Sequence, residues 1–415
     1  MWTLFASQRN LYKIVRTDTI DKQIRKVLYG VFIYYGYLFI IVTALNFDEI
    51  SRLWLFYFVF FLIPFLLLGR IGFHKVILFY RRKGGNYRTV IIVGNDRISK
   101  ELYHHFNSNL ALGYKVLGYF KPYKQVINKD VYLNMNDLGY SDSIIQYLKE
   151  NKPDEVFWKV GGEEDPFLKE TINYCEDNLI RLKLIPNFGV PISGRQPNID
   201  LFRGIPLVTL RREPLILPTN LLSKRIFDVV FSFLALIILV PFVFPCIAIL
   251  IKLNSKGPVF FKQLRSGVNN EIFWCYKFRT MVVNVESDHL QATKGDMRIT
   301  RVGKYLRKTS LDELPQFYNV LCGEMSVVGP RPHMLKHTED YSTLISKFLV
   351  RHFAKPGITG WAQVHGLRGE TATIQDIQKR VEADIWYVEN WSLILDFRIV
   401  FMTVRNMFLG DERAF

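Results

Sequence analysis

Three long stretches without charge constrain this chain more than any other feature. They are Val27–Phe47, Leu53–Gly69 and Val229–Ile251, and they contain 21, 17 and 23 residues. About 20 apolar residues in a helix cross the hydrocarbon core of a bilayer. Each stretch is therefore long enough, or nearly so, to enter a membrane. The alternative for the first two is a pair of buried core helices, but their dense aromatic residues favour a lipid environment.

The charges around the first two stretches indicate a hairpin. Lys and Arg cluster before the first stretch and after the second. The only charged residues of the connector between them are Asp48, Glu49 and Arg52. Basic residues flanking membrane helices remain on the cytoplasmic side. We therefore predict an N-terminal transmembrane hairpin in residues 1–85, with both ends in the cytoplasm. The first stretch begins too far into the chain for a cleavable signal peptide.

The third stretch has positive charge at both ends and proline inside. Lys224 and Arg225 precede it, Lys252 follows it, and Pro241 and Pro245 lie within it. One straight span cannot leave both basic ends on the same side, and an internal proline bends or breaks a helix. We predict a re-entrant membrane helix broken at Pro241. The alternative is a straight third span.

The overall charge favours anionic partners. The chain has 54 Lys and Arg against 38 Asp and Glu, a formal net charge of +16, and 49% hydrophobic residues, which excludes a disordered chain. The basic residues flank membrane stretches, and no nucleic-acid-binding pattern is present, so we expect phosphates and lipid as partners and no nucleic acid. The four cysteines have neither disulfide nor zinc spacing. Three apolar stretches without an internal repeat argue against a transporter.

Residues 86–215 alternate between short apolar runs and amphipathic segments. The runs Val90–Gly94, Tyr114–Phe120, Glu155–Val160 and Arg181–Ile185 are strand-like, and helical patterns separate most of them. This alternation predicts a Rossmann-like, doubly wound parallel α/β domain. Asn187–Pro218, with five prolines, is interpreted as a linker with little regular structure.

The predicted first strand of this middle domain lacks a full dinucleotide-binding fingerprint. Gly94 is the only glycine in Gly94-Asn95-Asp96-Arg97-Ile98-Ser99, and Arg97 would crowd an approaching pyrophosphate. We therefore interpret the domain as a degenerate CoA- or NAD-binding-like module with a structural or regulatory role.

The acidic pair Asp312-Glu313 is the strongest candidate for chemistry. Pro315 and the apolar residues after it predict that a helix begins at this pair. Acids at a helix N-terminus commonly just complement its dipole. Near several cations, however, an ionised carboxylate can attack phosphorus, and its neighbour can hold Mg²⁺ together with phosphate oxygens.

Other charged residues of the C-terminal third have a functional and a plain interpretation. Arg331 lies between two prolines, which suits rigid phosphate binding or a surface turn. Lys277 and Arg279 alternate with aromatic residues, as on one polar face of a strand that either binds phosphate or faces solvent. Asp384 is either a third acid aimed at the site or a solvent-facing one.

The ordered motifs of this third resemble the bacterial sugar transferase family of polyprenyl-phosphate phosphosugar transferases. The resemblance runs from Lys224-Arg225-Ile226-Phe227-Asp228 to Phe415. It is carried by the segments Tyr276–Met281, Thr309–Gln316, Val328–Pro332 and Lys355–Gln363. The stretches Lys355–Glu370 and Asp384–Asp396 look most like undecaprenyl-phosphate glucose phosphotransferases.

This resemblance implies a reaction and its residues. Asp312 would be the nucleophile that attacks a UDP-sugar and releases UMP through a covalent intermediate, and undecaprenyl phosphate would then accept the hexose-1-phosphate. Asp312 and Glu313 would hold Mg²⁺. Residues implied in phosphate or nucleotide-sugar binding are Lys277, Arg279, Arg331, Lys355, Arg368 and Asp384.

The same resemblance implies the location and leaves several points open. The expected architecture is α/β with membrane helices, and residues 216–415 form the re-entrant helix and catalytic domain on the cytoplasmic face of the bacterial inner membrane. Larger members have four N-terminal spans where we find two, so the sequence is expected to start late. Alternatives are galactose or an N-acetylated sugar as donor, and a membrane-tethered nucleotide-binding scaffold or sensor. A homodimer through the middle domain is a further expectation.

Overall fold

The computed structural model describes eleven segments of the chain: residues 20–44, 52–85, 87–94, 96–109, 112–123, 136–161, 165–186, 198–202, 204–282, 296–367 and 373–409. The chain divides into two compact units. The first comprises residues 1–168, 181–210 and 217–219, and the second comprises residues 169–180, 211–216 and 220–415. The predicted three-domain boundaries differ from this division and remain a prediction.

The first unit begins with two long helices that pack against each other, α1 (Ile20–Ala44) and α2 (Arg52–Arg82). The predicted first stretch lies in α1, whose first two turns carry several charges, and its last residues fall outside the described chain. The second stretch lies in α2, which continues past the predicted end at Gly69. The hairpin's membrane topology remains a prediction.

Two segments of the described chain are long and apolar enough to cross a membrane. They are Phe56–Arg81, within α2, and Thr219–Asn254, which is 36 residues long. In the most apolar part of each segment only 6% and 11% is buried, whereas the core helix of a soluble protein buries most of its length. Their exposed apolar surface therefore fits a lipid environment better than a water-facing one.

A seven-stranded sheet forms the rest of the first unit, in the order β3-β2-β1-β4-β5-β7-β6. The first five strands in this order pair in parallel, and Val90–Val93 in β1 are fully buried at the centre. This confirms the predicted parallel sheet of an α/β fold. The strands are β1 (Arg88–Val93), β2 (Tyr114–Lys121), β3 (Asp137–Tyr140), β4 (Glu155–Lys159), β5 (Arg181–Ile185), β6 (Asn198–Phe202) and β7 (Ile205–Thr209). The helices between them along the chain are α3 (Arg97–Ser108), α4 (Ile144–Asn151) and α5 (Pro166–Asp177), and α5 belongs from residue 169 onward to the second unit.

The interpretation of Asn187–Pro218 as a linker with little regular structure is wrong in part. Strands β6 and β7 form an antiparallel hairpin there that extends the sheet. Gly204, with φ +89°, adopts the left-handed conformation needed between the strands, and Phe202, Ile205 and Leu207 are buried. The prolines that suggested a linker lie largely outside the paired residues.

The N-terminus of α3, where a dinucleotide's pyrophosphate would bind, is already capped by a side chain of this protein. Asp96 caps the helix and accepts hydrogen bonds from the backbone amide and the hydroxyl of Ser99, at 2.9 and 2.8 Å. A carboxylate at this position would repel a phosphate. The geometry supports the interpretation of a degenerate module.

The longest part of the second unit, residues 220–415, starts within the apolar segment Thr219–Asn254, the membrane-entering segment. Helix α6 (Pro218–Ile238) leads through a π-helical turn, Leu239–Val243, into α7 (Phe244–Asn254). Pro241 lies inside this turn, where the α-helical hydrogen-bond pattern is interrupted.

Small helices and short strands build the remainder of the second unit around several apolar clusters. The largest cluster includes Phe227, Val320, Val328, Tyr387 and Ile399. The strands are β8 (Phe260–Ser266), β9 (Ile272–Phe278), β10 (Ser326–Val328) and β11 (Gly357–Thr359). The helices are α8 (Arg301–Lys308), α9 (Gln316–Cys322), α10 (Leu335–Leu344), α11 (Trp361–Val364), α12 (Ile374–Asn390) and α13 (Leu393–Leu409). Strands β8 and β9 pair antiparallel, and β10 and β11 pair in parallel.

Candidate functional site

The acidic pair lies on a tight 3₁₀ turn, Leu311–Glu313, between α8 and α9. The helix that was predicted to begin at the pair begins at Gln316, with Pro315 as its N-cap. Ser310, just before the turn, has φ +57°, a left-handed conformation that is uncommon for serine and frequent near functional sites. Asp312 and Glu313 are both buried, with 8% and 6% of their surface exposed.

Glu313 is neutralised by two of the predicted cations. Lys277 donates to Glu313 Oε1 at 2.9 Å. Arg331 donates to both carboxylate oxygens, with Nη2–Oε1 at 2.7 Å and Nη1–Oε2 at 3.3 Å. The charge of Glu313 raises the pKa of Arg331, so the guanidinium stays charged. The structure thus brings Lys277, Arg331 and Glu313 together.

Asp312 differs from its neighbour because its carboxylate is left open. Among the described residues it accepts no hydrogen bond, although Lys277, Arg307 and Arg331 are close enough to act on its charge. Burial raises the pKa of Asp312, and the charge of Glu313 adds to this, while the three cations oppose it. Asp312 is therefore a desolvated carboxylate with unused lone pairs in a cationic environment, which is what a nucleophile toward phosphorus needs.

Arg307 is a site residue that the sequence analysis did not single out. It lies on α8, its Nε donates to Thr280 Oγ1 at 2.9 Å, and its charge acts on both Asp312 and Glu313. The basic helix just before the acidic pair was visible in the sequence. Its spacing alone could not identify which of its cations turns toward the pair.

Asn319 joins the helix that follows the acidic pair to the strand that carries Lys277. The fully buried amide of Asn319 accepts from the Tyr276 backbone amide at 3.0 Å and donates to the Trp274 carbonyl at 2.6 Å. These two bonds fix α9 against β9. An amide among the apolar residues of a short helix was the sequence feature that pointed to this role.

Asp384 acts on the site indirectly. Its carboxylate lies 2.7 Å from Arg351 Nη2, and the same nitrogen donates to the Arg331 backbone carbonyl at 2.7 Å. Arg351 is almost completely buried, and its Nη1 contacts the His333 ring. Burial and the charge of Arg351 lower the pKa of His333 well below its usual value, so the neutral ring accepts this hydrogen bond.

Arg351 and Arg380 were missed as site residues. Arg380 on α12 donates to the Leu367 carbonyl at 2.9 Å, and burial together with the charges of Arg331 and Arg351 lowers its pKa to about 10. An arginine inside the apolar run Phe348–Phe353 must have a buried partner, and this was the sequence feature that could have identified Arg351.

Two predicted phosphate-binding residues, Arg279 and Lys355, are not gathered at the acidic pair. Arg279 follows the end of β9 and donates to the carbonyls of Lys256 and Ser255, at 2.9 and 2.7 Å, beyond the end of α7. Lys355 lies beside Arg225, and its charge also interacts with the charges of Asp228 and Lys224. Arg368 lies outside the described residues. The binding roles predicted for these residues remain predictions.

The acidic pair offers carboxylate oxygens, which are donors that Mg²⁺ prefers. Within the described residues, no larger group of His, Cys, Asp or Glu side chains gathers in a metal-binding cluster. Magnesium ions commonly take one or two protein carboxylates together with phosphate oxygens and water. Asp312 fits this pattern as the carboxylate open to an ion, whereas both oxygens of Glu313 are already contacted by Lys277 or Arg331.

In comparisons with known proteins, the two parts of the chain match different family models. The family model described as "Bacterial sugar transferase" matches residues 219–410, and the model described as "CoA-binding domain" matches residues 7–186. A UDP-glucose:undecaprenyl-phosphate glucose-1-phosphate transferase of Klebsiella pneumoniae is 37% identical over 336 residues, which is 80% of this chain and 70% of the relative. The enzyme of the same name from Escherichia coli K12 is 39% identical over 333 residues, with the same coverage. A UDP-N-acetylgalactosamine-undecaprenyl-phosphate N-acetylgalactosaminephosphotransferase of Aeromonas hydrophila is 45% identical over 197 residues, 46% of this chain and 45% of the relative.

Proposed function

The chain belongs to the bacterial sugar transferase family, and on this basis we propose that it transfers glucose-1-phosphate from UDP-glucose to undecaprenyl phosphate and releases UMP. This reaction would initiate the synthesis of a polysaccharide repeat unit. The observation that carries the proposal is the unequal pair of buried carboxylates, in which Glu313 is held by Lys277 and Arg331 while Asp312 is open.

The unequal pair supports a two-step mechanism. In the first step a carboxylate oxygen of Asp312 attacks the β-phosphorus of the donor, and the bond to the bridging oxygen breaks. UMP leaves with that electron pair, and the sugar phosphate is joined to Asp312 as an acyl phosphate. In the second step an oxygen of the lipid phosphate attacks the same phosphorus, and Asp312 is released as a carboxylate.

The surrounding cations match the charge that this reaction moves. Lys277, Arg307 and Arg331 lie around the acidic pair and would stabilise negative charge on the transferring phosphoryl group and on the departing UMP. Asp384 would keep Arg331 in position through Arg351. The Mg²⁺ ion predicted for Asp312 and Glu313 would bind chiefly through the open Asp312 and would further neutralise the diphosphate.

Both ends of the membrane-entering segment contact the same unit, which supports a re-entrant helix. Near its start, Lys224 donates to the Val328 carbonyl at 2.9 Å. Near its end, Ile251 packs in an apolar cluster with Phe278 and Leu306. A straight crossing would carry the two ends to opposite sides of the bilayer. The interrupted turn at Pro241 is the natural position for the segment to bend back.

An exposed apolar stripe on α13 would hold the unit at the membrane surface. Ile394, Phe397, Phe401 and Val404 follow helical spacing, and between 47% and 70% of each is exposed. Phe397 also packs against Phe227 of α6, at 5.0 Å between ring centroids, so the stripe continues onto the membrane-entering helix. Such a face suits the interfacial region of a bilayer, where the phosphate of a lipid acceptor lies. We place this face on the cytoplasmic side of the inner membrane, in keeping with the basic residues that flank both membrane segments.

The choice of glucose as the transferred sugar is based on the relatives with the longest matches. Those with matches over 80% of the chain are glucose-1-phosphate transferases by name, while a relative matched over 46% transfers N-acetylgalactosamine phosphate by name. The site residues described above contact charged groups and do not discriminate between hexoses.

A donor panel tests the proposal. The purified protein in detergent, with undecaprenyl phosphate and Mg²⁺, is given UDP-glucose, UDP-galactose, UDP-N-acetylglucosamine and UDP-N-acetylgalactosamine, and UMP is measured. We expect UMP chiefly from UDP-glucose, together with a lipid-linked sugar diphosphate. Release from a different donor would replace glucose in the proposal. No release from any donor would contradict the transferase assignment.

A further inference from the structure

Three residues in the first part of α6 contact the two backbone segments that present the functional side chains. We propose that Lys224, Arg225 and Asp228 are positioning residues, which hold the acidic pair and Arg331 in fixed relation to the membrane-entering helix. This inference rests on the proposed function, because positioning matters only if the acidic pair and Arg331 carry out the reaction.

Arg225 fixes the helix that follows the acidic pair. Its Nη1 and Nη2 donate to the backbone carbonyls of Val320 and Leu321, both at 2.6 Å. These carbonyls lie in the last turn of α9, which is only seven residues long and begins three residues after Glu313. A helix of two turns moves as one body, so a shift at its C-terminal end displaces the acidic pair at the other. The guanidinium also complements the negative end of the helix dipole.

Lys224 and Asp228 fix the strand that leads to Arg331. The carboxylate oxygen Oδ1 of Asp228 accepts hydrogen bonds from the Ser326 hydroxyl and the Val327 backbone amide, at 2.8 and 3.0 Å. Lys224 donates to the Val328 carbonyl at 2.9 Å. All three residues of β10 are therefore tied to one turn of α6, and Arg331 follows the end of this strand by three residues.

The charge of Lys224 is balanced inside the protein, which makes this attachment rigid. Its ammonium lies 2.8 Å from Asp396 Oδ2, and Asp396 is fully buried. The same carboxylate accepts from the Tyr387 hydroxyl at 2.8 Å and from Trp391 Nε1 at 3.1 Å. A buried network whose members are satisfied restricts the conformations available to every residue in it.

Anchoring α6 in the second unit would not by itself require the polar contacts of Lys224, Arg225 and Asp228. Phe227 and Phe231 on α6 already pack against the apolar core that includes Val320. The polar contacts are made instead with two elements next to the functional residues. These are α9, which follows the acidic pair, and β10, which leads to Arg331. Loss of these contacts is therefore expected to reduce turnover more than folding, because small displacements of reacting groups are costly to rate.

The test replaces Arg225 in the full-length protein. In Arg225→Met we expect kcat for UMP release to fall roughly 10- to 100-fold. KM for the donor should change little, and the thermal midpoint should stay within a few degrees of wild type. Arg225→Lys keeps the charge but cannot donate to both carbonyls from a rigid fork, so its kcat should lie between the two. Lys252→Met is the matched control, because this exposed lysine lies at the other end of the same membrane segment, and it should behave like wild type.

Asp228 provides a second, conservative pair. Asp228→Asn keeps an oxygen acceptor for Ser326 and Val327 and should retain most of the turnover, whereas Asp228→Leu should lose it to an extent similar to Arg225→Met. A purely structural role predicts a lowered thermal midpoint with normal kcat for the folded fraction, and that result would overturn the proposal.

Hydrogen exchange gives a measurement that does not depend on activity. Amide exchange in residues 311–322 should be faster in Arg225→Met than in wild type and unchanged in Lys252→Met. If wild type releases no UMP from any donor, the proposed function fails, and the exchange result still decides whether α6 holds α9 in place. Unchanged exchange in Arg225→Met would contradict the positioning role.

Discussion

Two buried carboxylates, Glu155 in the sheet and Asp312 in the second unit, show how surroundings decide what an acid does. Glu155 is fully buried, and its two oxygens are contacted by Arg88 and Lys183. Burial alone would raise its pKa, but the charges of Lys183 and Arg88 outweigh this and lower it to about 2. For Asp312 burial prevails, and its pKa is raised. The first carboxylate is paired and structural, while the second is open and available for chemistry.

Replacement of each acid by its amide should separate these roles. Asp312→Asn removes the nucleophile, so we expect UMP release to fall at least about 10³-fold. The protein should remain folded, since the lost charge had no hydrogen-bond partner among the described residues. Steady-state kinetics together with thermal unfolding measures both quantities. Turnover above a tenth of the wild-type value in Asp312→Asn would show that Asp312 is not the nucleophile. The contrast in role between Asp312 and Glu155 would then no longer hold.

The pH dependence of the rate should sharpen the contrast. Asp312 must be ionised to attack, and its pKa is raised by burial, so kcat/KM should fall about tenfold per pH unit once pH drops below that pKa. The acid limb should therefore lie above the ordinary aspartate range. Rates measured on protein that is shown to be folded at each pH provide the check. A flat profile down to the usual aspartate pKa would mean that the open carboxylate is not the group that titrates.

Glu155→Gln should have the smallest effect on turnover and a clear effect on stability. Two half-buried cations lose their counter-charge, which costs about 3 kcal/mol in the free energy of unfolding. The pKa of Glu155 is depressed to about 2 from 4.5, so its contribution is complete above pH 4.5 and is lost as pH falls toward 2. Denaturant unfolding of this variant and of Glu150→Gln, an exposed glutamate on α4, measures the difference. Equal stability of the two variants would show that the paired acid is dispensable.

The sequence predicted the fold where local patterns decide it. The apolar runs beginning at Val90, Tyr114, Glu155 and Arg181 all became parallel strands, because a buried strand needs little beyond its own composition. The hairpin of β6 and β7 was missed because prolines nearby suggested a linker, although Gly204 marked its turn.

The site was predicted where its residues are adjacent and missed where the chain brings distant residues together. Asp312 and Glu313 stood out as neighbours, and Lys277 and Arg331 as basic residues in recognisable segments. Arg351 and Asn319 act through contacts to residues 18 to 45 positions away, and no local pattern encodes these contacts. Arg279 was expected to share a face with Lys277, but β9 ends at Phe278, so the two side chains have different partners.

Trapping of the covalent intermediate tests the central claim most directly. The protein is mixed with its UDP-sugar donor without lipid acceptor, quenched in acid and examined by mass spectrometry of its peptides. The account predicts a mass increase of one sugar phosphate on the peptide that contains Asp312, no increase in Asp312→Asn, and loss of the adduct when undecaprenyl phosphate is added. Formation of the lipid-linked product without any adduct, or an adduct on a different residue, would contradict the assignment of Asp312 as the nucleophile.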